Sequence, residues 1–167
     1  WGVDMSLIPL TKYWSGHSDV LMGAIVVREE HWLPIFRAVR QLGLCVGGDD
    51  AYLILRGLRT AEVRMRQHPQ HERFKRDFSG SSGLFSFELE AGTSDAAISA
   101  LVNHREHFGI GYSWGGFESL IMPANISTGR TAHPWTGGQL IRLHIGLEDP
   151  ASLIADLDQG FAAMRRA

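Results

Sequence analysis

The sequence predicts an α/β fold in which helices cover a small sheet. Two hydrophobic periods recur along the 167 residues. Residues 84–90 alternate apolar and polar side chains, as a strand does, whereas residues 150–166 place apolar side chains three and four positions apart, as a helix does. In the second half such segments follow the order helix, strand, helix, strand, strand, helix, which is typical of helices packed on a sheet.

The first quarter of the chain predicts a strand, a polar loop, a second strand and a helix. Residues 1–11 are expected to form a strand and a turn, with Pro9 at the strand end because proline has no N–H for a ladder. Residues 20–27 are a continuous apolar run, as in a strand that is buried on both faces. Residues 29–42 have helical spacing, and Pro34 falls within the first turns, where proline is tolerated.

The middle of the chain is expected to begin with a long helix. Asp49 or Asp50 is the expected N-cap, and one apolar side continues the helix to about residue 68. Residues 94–108 are expected to form a further helix. Short strands are expected at residues 110–113, 119–122 and 140–145, and residues 126–138 are expected to form a polar loop.

The composition limits the class of protein. A formal net charge of −2 gives no basic surplus for nucleic acid or an anionic membrane, and no apolar run is long enough to span a bilayer. The one cysteine, Cys45, excludes an internal disulfide and leaves no thiolate cluster for zinc, so a reducing cytoplasm is expected. His104 and His107 stand three apart on a predicted helix, but no metal is expected because further ligands are missing nearby.

Lys12 stands in surroundings that suit a reactive amine. An apolar, strand-like approach (Met5, Leu7, Ile8) ends at Pro9, and after Lys12 the chain enters a loop rich in Gly, Ser, His and Asp. Burial at such a strand end disfavours the charged form of an amine, and a neutral amine can condense with an aldehyde. The alternative is a lysine that is simply solvated at the surface.

Separate motifs place this lysine in a wider pattern. The run SLIPLTKYWSGHSD contains Lys12, and DDAYLILRGLRT, FGIGYSWGGFESL and LIRLHIGLED follow it, with KRDFSGSSGLFSFEL also fitting the order. Together they resemble the pyridoxal-phosphate enzymes of cysteine and methionine metabolism. The resemblance covers nearly the whole chain.

The resemblance implies the aspartate-aminotransferase-like fold (fold type I) of pyridoxal-phosphate-dependent transferases. Residues 1–60 would be the C-terminal part of the large cofactor domain, and residues 61–167 a small C-terminal α/β sandwich domain. The chain would then be the C-terminal half of such an enzyme, with an internal gap near His68. Because these enzymes build each active site from two subunits, a homodimer or homotetramer is expected.

For the cofactor, the resemblance implies that Lys12 forms the Schiff base with pyridoxal 5'-phosphate and later moves the substrate Cα proton. Thr11 would contact the cofactor phosphate. The family commonly carries a second hydroxyl two residues earlier, where this chain has Pro9, so one phosphate contact fewer is expected. The alternative for Thr11 is a hydroxyl that bonds local backbone.

For the substrate, the predicted strand of residues 140–145 places Arg142 and His144 on one face. A guanidinium among apolar strand residues needs an anionic partner, and its planar fork suits a carboxylate. The resemblance assigns Arg142 to the α-carboxylate of an amino-acid substrate. The alternative is an internal salt bridge with Glu118 or Glu148.

Ser113 and Trp114, in YSWGG, complete the substrate site that the resemblance implies, because this segment's backbone helps to hold the carboxylate. Trp114 also resembles the β-lyase branch of the family, whereas γ-synthases and γ-lyases more often have leucine there. The alternative is that Trp114 only fills the core. The activity implied is β-elimination of L-cystathionine to homocysteine, pyruvate and ammonia, a step of methionine biosynthesis.

Two other functions stay open. One is a related activity, a cystathionine γ-lyase, a γ-synthase or a cysteine desulfhydrase. The other is a non-catalytic piece that lacks the N-terminal half of the cofactor site. His17, Ser18 and Asp19 are not expected to form a triad, because triads converge in space rather than in sequence. The arginines of RGLRT are expected to form salt bridges between domains or subunits.

Overall fold

A computed structural model of the protein describes residues 2–67, 82–126 and 132–167. Contacts divide the chain into two units, Trp1–Val63 and Arg64–Ala167. The junction expected near His68 lies outside the described residues. So do the first half of the turn predicted at residues 80–83 and part of the loop predicted at residues 126–138.

The first unit contains a two-stranded antiparallel sheet and two helices. Met5 pairs with Val27 at one end of the sheet, and Pro9 pairs with Gly23 at the other. Pro9 is the last residue of its strand, as predicted. The elements are β1 (Met5–Pro9), β2 (Gly23–Val27), α1 (Glu29–Gln41) and α2 (Gly48–Gln67), the last of which continues into the second unit.

The strand β2 differs from its prediction in length and in burial. It begins at Gly23 rather than at residue 20, and its side chains are not buried on both faces. Ile25 is 44% exposed and Val26 is 55% exposed. A two-stranded sheet leaves its faces open unless other elements cover them, and an apolar run cannot by itself show whether a cover is present.

The helices of the first unit have the expected positions but one different cap. The helix α1 contains Pro34 and ends at Gln41, close to the prediction. The helix α2 begins at Gly48, so the prediction that Asp49 or Asp50 is its N-cap is wrong. Both carboxylates lie in the first turn instead, where the helix dipole still favours a negative charge.

The second unit is a four-stranded sheet with two helices, which confirms the predicted α/β architecture. Its strand order is β3-β6-β5-β4, with β6 antiparallel to both neighbours and β4 parallel to β5. The elements are β3 (Leu84–Glu88), α3 (Asp95–Val102), β4 (Phe108–Gly109), β5 (Ser119–Ala124), β6 (Leu140–His144) and α4 (Pro150–Met164).

The central strand β6 separates the core of this unit from its other face. Ile141 and Leu143 are buried in the core with Leu101 of α3 and Leu153 of α4. Because side chains alternate along a strand, the even-numbered residues of β6 lie on the opposite face. That face carries Arg142 and His144, as predicted, and it is the face from which the candidate site is built.

The helix α3 is shorter than predicted, and a buried carboxylate explains why. It begins after Ser94, whose hydroxyl accepts the N–H of Ala97, and it ends at Val102 rather than at residue 108. The carboxylate of Asp156 accepts the backbone N–H groups of three residues that the prediction had placed in the helix. They are Glu106, His107 and Phe108.

The early end of α3 changes where His104 and His107 lie. His104 has a positive φ of 59°, so the chain turns away from the helix there. His104 and His107 are therefore not on one helical face.

In the described parts of the chain, no group of three His, Cys, Asp or Glu side chains could hold a metal ion. No helix there is both long and apolar enough to cross a membrane.

Asp156→Asn is expected to lower the free energy of unfolding by about 3 kcal/mol, because one acceptor oxygen becomes an NH₂ group that faces backbone donors. Arg105 would also lose its ion pair with Asp156, which spans 3.7 Å between Nη1 and Oδ1. Urea unfolding followed by tryptophan fluorescence measures the change. Asp158→Asn, at an exposed position of the same helix, is the matched control. Equal losses in the two variants would contradict this role.

Candidate functional site

Lys12 lies in a turn between β1 and β2 whose backbone is fixed on both sides. Its N–H donates to the carbonyl of Pro9 at 3.3 Å, and its own carbonyl accepts the N–H of Gly16 at 2.8 Å. The N–H of Ser15 donates to Leu10 at 2.9 Å within the same turn. The Lys12 side chain is half-buried. A long, flexible side chain thus starts from a rigid base at the end of a strand.

Thr11 makes local hydrogen bonds in this structure. Its hydroxyl accepts the N–H of Met22 at 2.8 Å and donates to the carbonyl of Met22 at 3.1 Å. Its backbone N–H donates to the same carbonyl at 3.1 Å. A phosphate oxygen can only accept, so Thr11 would bind one by giving up the hydroxyl bond to Met22. The phosphate contact stays a prediction.

The helix α2 packs closely against the loop that follows Lys12. Ser15 is fully buried, and a β-carbon at Gly57 would overlap the carbonyl oxygens of Trp14 and Ser15. Only glycine allows this approach. The motif DDAYLILRGLRT is therefore tied to the lysine motif by a direct backbone contact.

An ion pair adds to this contact. Arg56 of α2 donates to Asp19 at 2.6 Å between Nη2 and Oδ2. Both residues lie in the first unit, so this ion pair does not join two domains. The expected salt bridges between subunits stay a prediction. His17 contacts the carbonyl of Ser15 through Nδ1. His17 and Asp19 thus bind different partners, Ser15 and Arg56, rather than each other.

In the second unit, Arg142 is directed by β6 toward the connection between β4 and β5. Its Nη2 donates to the carbonyl oxygens of Gly111 and Tyr112, each at 2.9 Å. Within the described ranges Arg142 forms no ion pair with a carboxylate. The guanidinium thus keeps its Nε and Nη1 donors for another acceptor.

The two carboxylates proposed as internal partners of Arg142 are placed otherwise. Glu148 accepts the N–H and the hydroxyl of Ser119, at 2.8 Å and 2.7 Å. Glu118 is exposed and forms no ion pair with Arg142 among the residues that the structure describes. The salt-bridge alternative is therefore wrong for Glu148, whose oxygens hold the start of β5.

His144, the other polar residue on this face of β6, is 1% exposed. Its Nε2 accepts the N–H of Gly115 at 3.1 Å and lies 3.3 Å from the carbonyl of Gly116. Burial lowers the pKa of His144 from its ordinary value of 6.5. Sequence reasoning placed His144 beside Arg142 but gave it no role. The sequence pattern that could have pointed to His144 is the alternation of the strand, which places it on the same face as Arg142.

Ser113 and Trp114 lie between the two points where β6 holds the connection. Ser113 is exposed, and Trp114 is half-buried and outside the core cluster of this unit. Gly115 follows with a φ of +92°, a conformation that side chains rarely adopt. The structure therefore brings Ser113, Trp114 and Arg142 together in the second unit, while Thr11 and Lys12 belong to the first.

Comparison with known proteins shows which family the chain is similar to. The family model for Cys/Met metabolism PLP-dependent enzymes matches residues 1–69 and 66–162. Cystathionine beta-lyase MetC of Escherichia coli (strain K12) is 40% identical over 97% of this chain and 49% of its own length. An L-alanine/L-glutamate racemase of Wolbachia pipientis wMel is 37% identical over 98% of this chain and 48% of its own length.

A solved structure is also similar to this chain. The crystal structure of cystathionine gamma synthase from Xanthomonas oryzae pv. oryzae, in complex with cystathionine, matches with a TM-score of 0.81 and 32% identity. The match covers 99% of this chain and 51% of that one. The chain spans about half the length of the curated relatives it matches. It belongs to the pyridoxal-phosphate-dependent enzymes of cysteine and methionine metabolism.

Proposed function

We propose that this chain carries the reactive lysine and the substrate-carboxylate group of a carbon–sulfur lyase that cleaves L-cystathionine by β-elimination. The observation that carries the proposal is Arg142, whose guanidinium is held by two backbone carbonyls and has no carboxylate partner in the described residues. A charged group kept half-buried in this way suits an anionic ligand. Family membership makes an amino acid the ligand to test first.

The residues of the first unit fit a cofactor that is held covalently through an aldehyde. Lys12 offers a half-buried primary amine on a turn that three backbone hydrogen bonds fix. When bound, pyridoxal phosphate supplies a ring that takes up the electrons of a carbanion at the substrate Cα. This chain's own contribution is to place an amine that can accept and return protons.

In the proposed reaction Lys12 moves protons and Arg142 orients the substrate. The Nζ of Lys12 takes the proton from the substrate Cα and then gives a proton to the departing thiolate of homocysteine. The free Nε and Nη1 donors of Arg142 bind the α-carboxylate, with the backbone at Ser113 and Trp114 beside it. Aminoacrylate released from the enzyme hydrolyses to pyruvate and ammonia.

The covalent role of Lys12 is testable because the sequence contains two lysines, Lys12 and Lys75. The full-length protein with this sequence is incubated with pyridoxal phosphate, reduced with borohydride and mapped by peptide mass spectrometry. We expect a visible absorption band before reduction and the label on Lys12, with none on Lys75. A label on Lys75 alone, or no label, would sink the assignment.

The products separate the β-lyase from its relatives. Pyruvate and homocysteine from cystathionine would support β-elimination, which Trp114 favours, whereas 2-oxobutyrate and cysteine would indicate a γ-lyase. Conversion of an L-amino acid to its D-form without thiol release would indicate a racemase instead.

We also propose that the protein is a homodimer or homotetramer in the cytoplasm. A purified full-length protein that takes up no cofactor would favour the non-catalytic alternative.

A further inference from the structure

His144 stands apart from the other residues on its face of β6 because it is almost fully buried and yet titratable. Its Nε2 accepts the N–H of Gly115 at 3.1 Å and lies 3.3 Å from the carbonyl of Gly116. These two glycines immediately follow Ser113 and Trp114.

The bond to Gly115 fixes the protonation state of the ring. A backbone N–H is always a donor, so Nε2 must present its lone pair, and the proton of a neutral imidazole is assigned to Nδ1. A protonated imidazolium carries hydrogen on both nitrogens and cannot accept this bond. Its Nε2–H would face the N–H of Gly115, so two donors would meet. The carbonyl of Gly116, 3.3 Å from Nε2, could accept a hydrogen bond from the protonated ring.

The groups around His144 oppose one another, and burial acts most strongly. Burial and the positive charge of Arg142 lower the pKa of His144, whereas the carbonyl of Gly116 and the negative charge of Glu148 raise it. The neighbouring positions in register on the flanking strands are Leu84 and Leu120, which carry no charge. The net direction is down, which keeps the ring neutral at neutral pH and above.

The same face of β6 therefore holds the connection at two points. Arg142 binds the carbonyls of Gly111 and Tyr112, and His144 binds the N–H of Gly115. The segment that contains Ser113 and Trp114 lies between these two points of contact. Release at one point would leave the backbone beside Arg142 free to move.

We infer that His144 is a positioning residue, which holds Gly115 so that Ser113 and Trp114 stay beside Arg142, and that binding of an amino-acid carboxylate weakens when His144 is protonated. The inference rests on the proposed function, because it takes Arg142 as the carboxylate-binding group. It adds a pH-sensitive support to that site. His144 itself touches no reacting atom.

Two substitutions test the bond without relying on turnover. His144→Gln can place an uncharged acceptor oxygen near the position of Nε2, whereas His144→Leu offers no acceptor. Deuterium uptake of a peptide covering residues 110–118 reports the protection of the Gly115 amide. Uptake is corrected for the intrinsic pH dependence of exchange and measured in the full-length holoenzyme.

We expect His144→Leu to exchange this amide at least roughly tenfold faster than the wild type at about pH 8, and His144→Gln to stay close to the wild type. As the pH falls through the lowered pKa of His144, the wild type should lose protection and His144→Gln should keep it. For cystathionine at about pH 8, His144→Leu should raise KM roughly tenfold, with kcat within about threefold. The KM of the wild type should rise relative to that of His144→Gln as the pH falls.

Unchanged amide exchange and unchanged KM in His144→Leu would overturn the inference. So would a pH dependence of KM in His144→Gln that equals the wild type's. Failure of the proposed function has a different signature, the absence of a cofactor label on Lys12 in the wild type. If the exchange differences appear without any carboxylate binding, the support is real but the inference about substrate falls together with the proposed function.

Discussion

Lys12→Ala is expected to reduce the turnover of cystathionine by roughly 10³-fold to 10⁴-fold, because the variant loses the amine that moves the Cα proton. The backbone of Lys12 is held by hydrogen bonds with Pro9 and Gly16, so the turn sets the point from which this amine extends. Single-turnover kinetics with cystathionine measure the loss. The cofactor should still bind, but without a covalent link that borohydride can trap.

Two controls make this result specific. Lys75→Ala removes the other lysine of the sequence and should keep turnover within about threefold of the wild type, because the proposed reaction gives Lys75 no role. Small primary amines added to Lys12→Ala should restore part of the activity, since they can transfer the same proton. Turnover in Lys12→Ala equal to the wild type's would refute the proposed role.

Arg142→Ala is expected to raise the KM for amino-acid substrates roughly a hundredfold, which corresponds to about 3 kcal/mol, because a charge-assisted pair with the carboxylate is lost. Covalent attachment of the cofactor to Lys12 should be unchanged. The matched comparison is Arg142→Lys, which keeps the positive charge but loses the planar fork. We expect it to recover only part of the affinity.

The structural bonds of Arg142 require a further control. Its Nη2 holds the carbonyls of Gly111 and Tyr112, so an alanine there could also loosen the connection. A substrate analogue with the α-carboxylate replaced by a primary amide separates the two effects. It should bind the wild type and Arg142→Ala about equally, whereas equal loss for both ligands would contradict a carboxylate role.

The fold could be predicted where the local pattern decides the structure. The alternation of residues 84–90 and the helical spacing of residues 150–166 gave a strand and a helix at the right places. The helix predicted at residues 94–108 ended early because Asp156, far along the chain, takes the N–H groups that would have continued it. A local pattern contains no information about such a partner.

The candidate site shows the same division. Alternation along β6 placed Arg142 and His144 on one face from the sequence alone, and the motifs identified Lys12. The sequence could not show that Nε2 of His144 receives the N–H of Gly115, or that Glu148 is occupied by Ser119. These contacts join residues that lie far apart in the chain, and only the folded sheet brings them together.

The pairing of Thr11 with Met22 bears on which changes near Lys12 can move its amine. Three hydrogen bonds close the loop of residues 12–21 at its base, directly beside Lys12. The backbone position from which the Lys12 side chain extends is therefore set by these three hydrogen bonds and not by the far part of the loop. Substitutions in that part are therefore expected to alter the surroundings of the amine while the backbone of Lys12 stays in place.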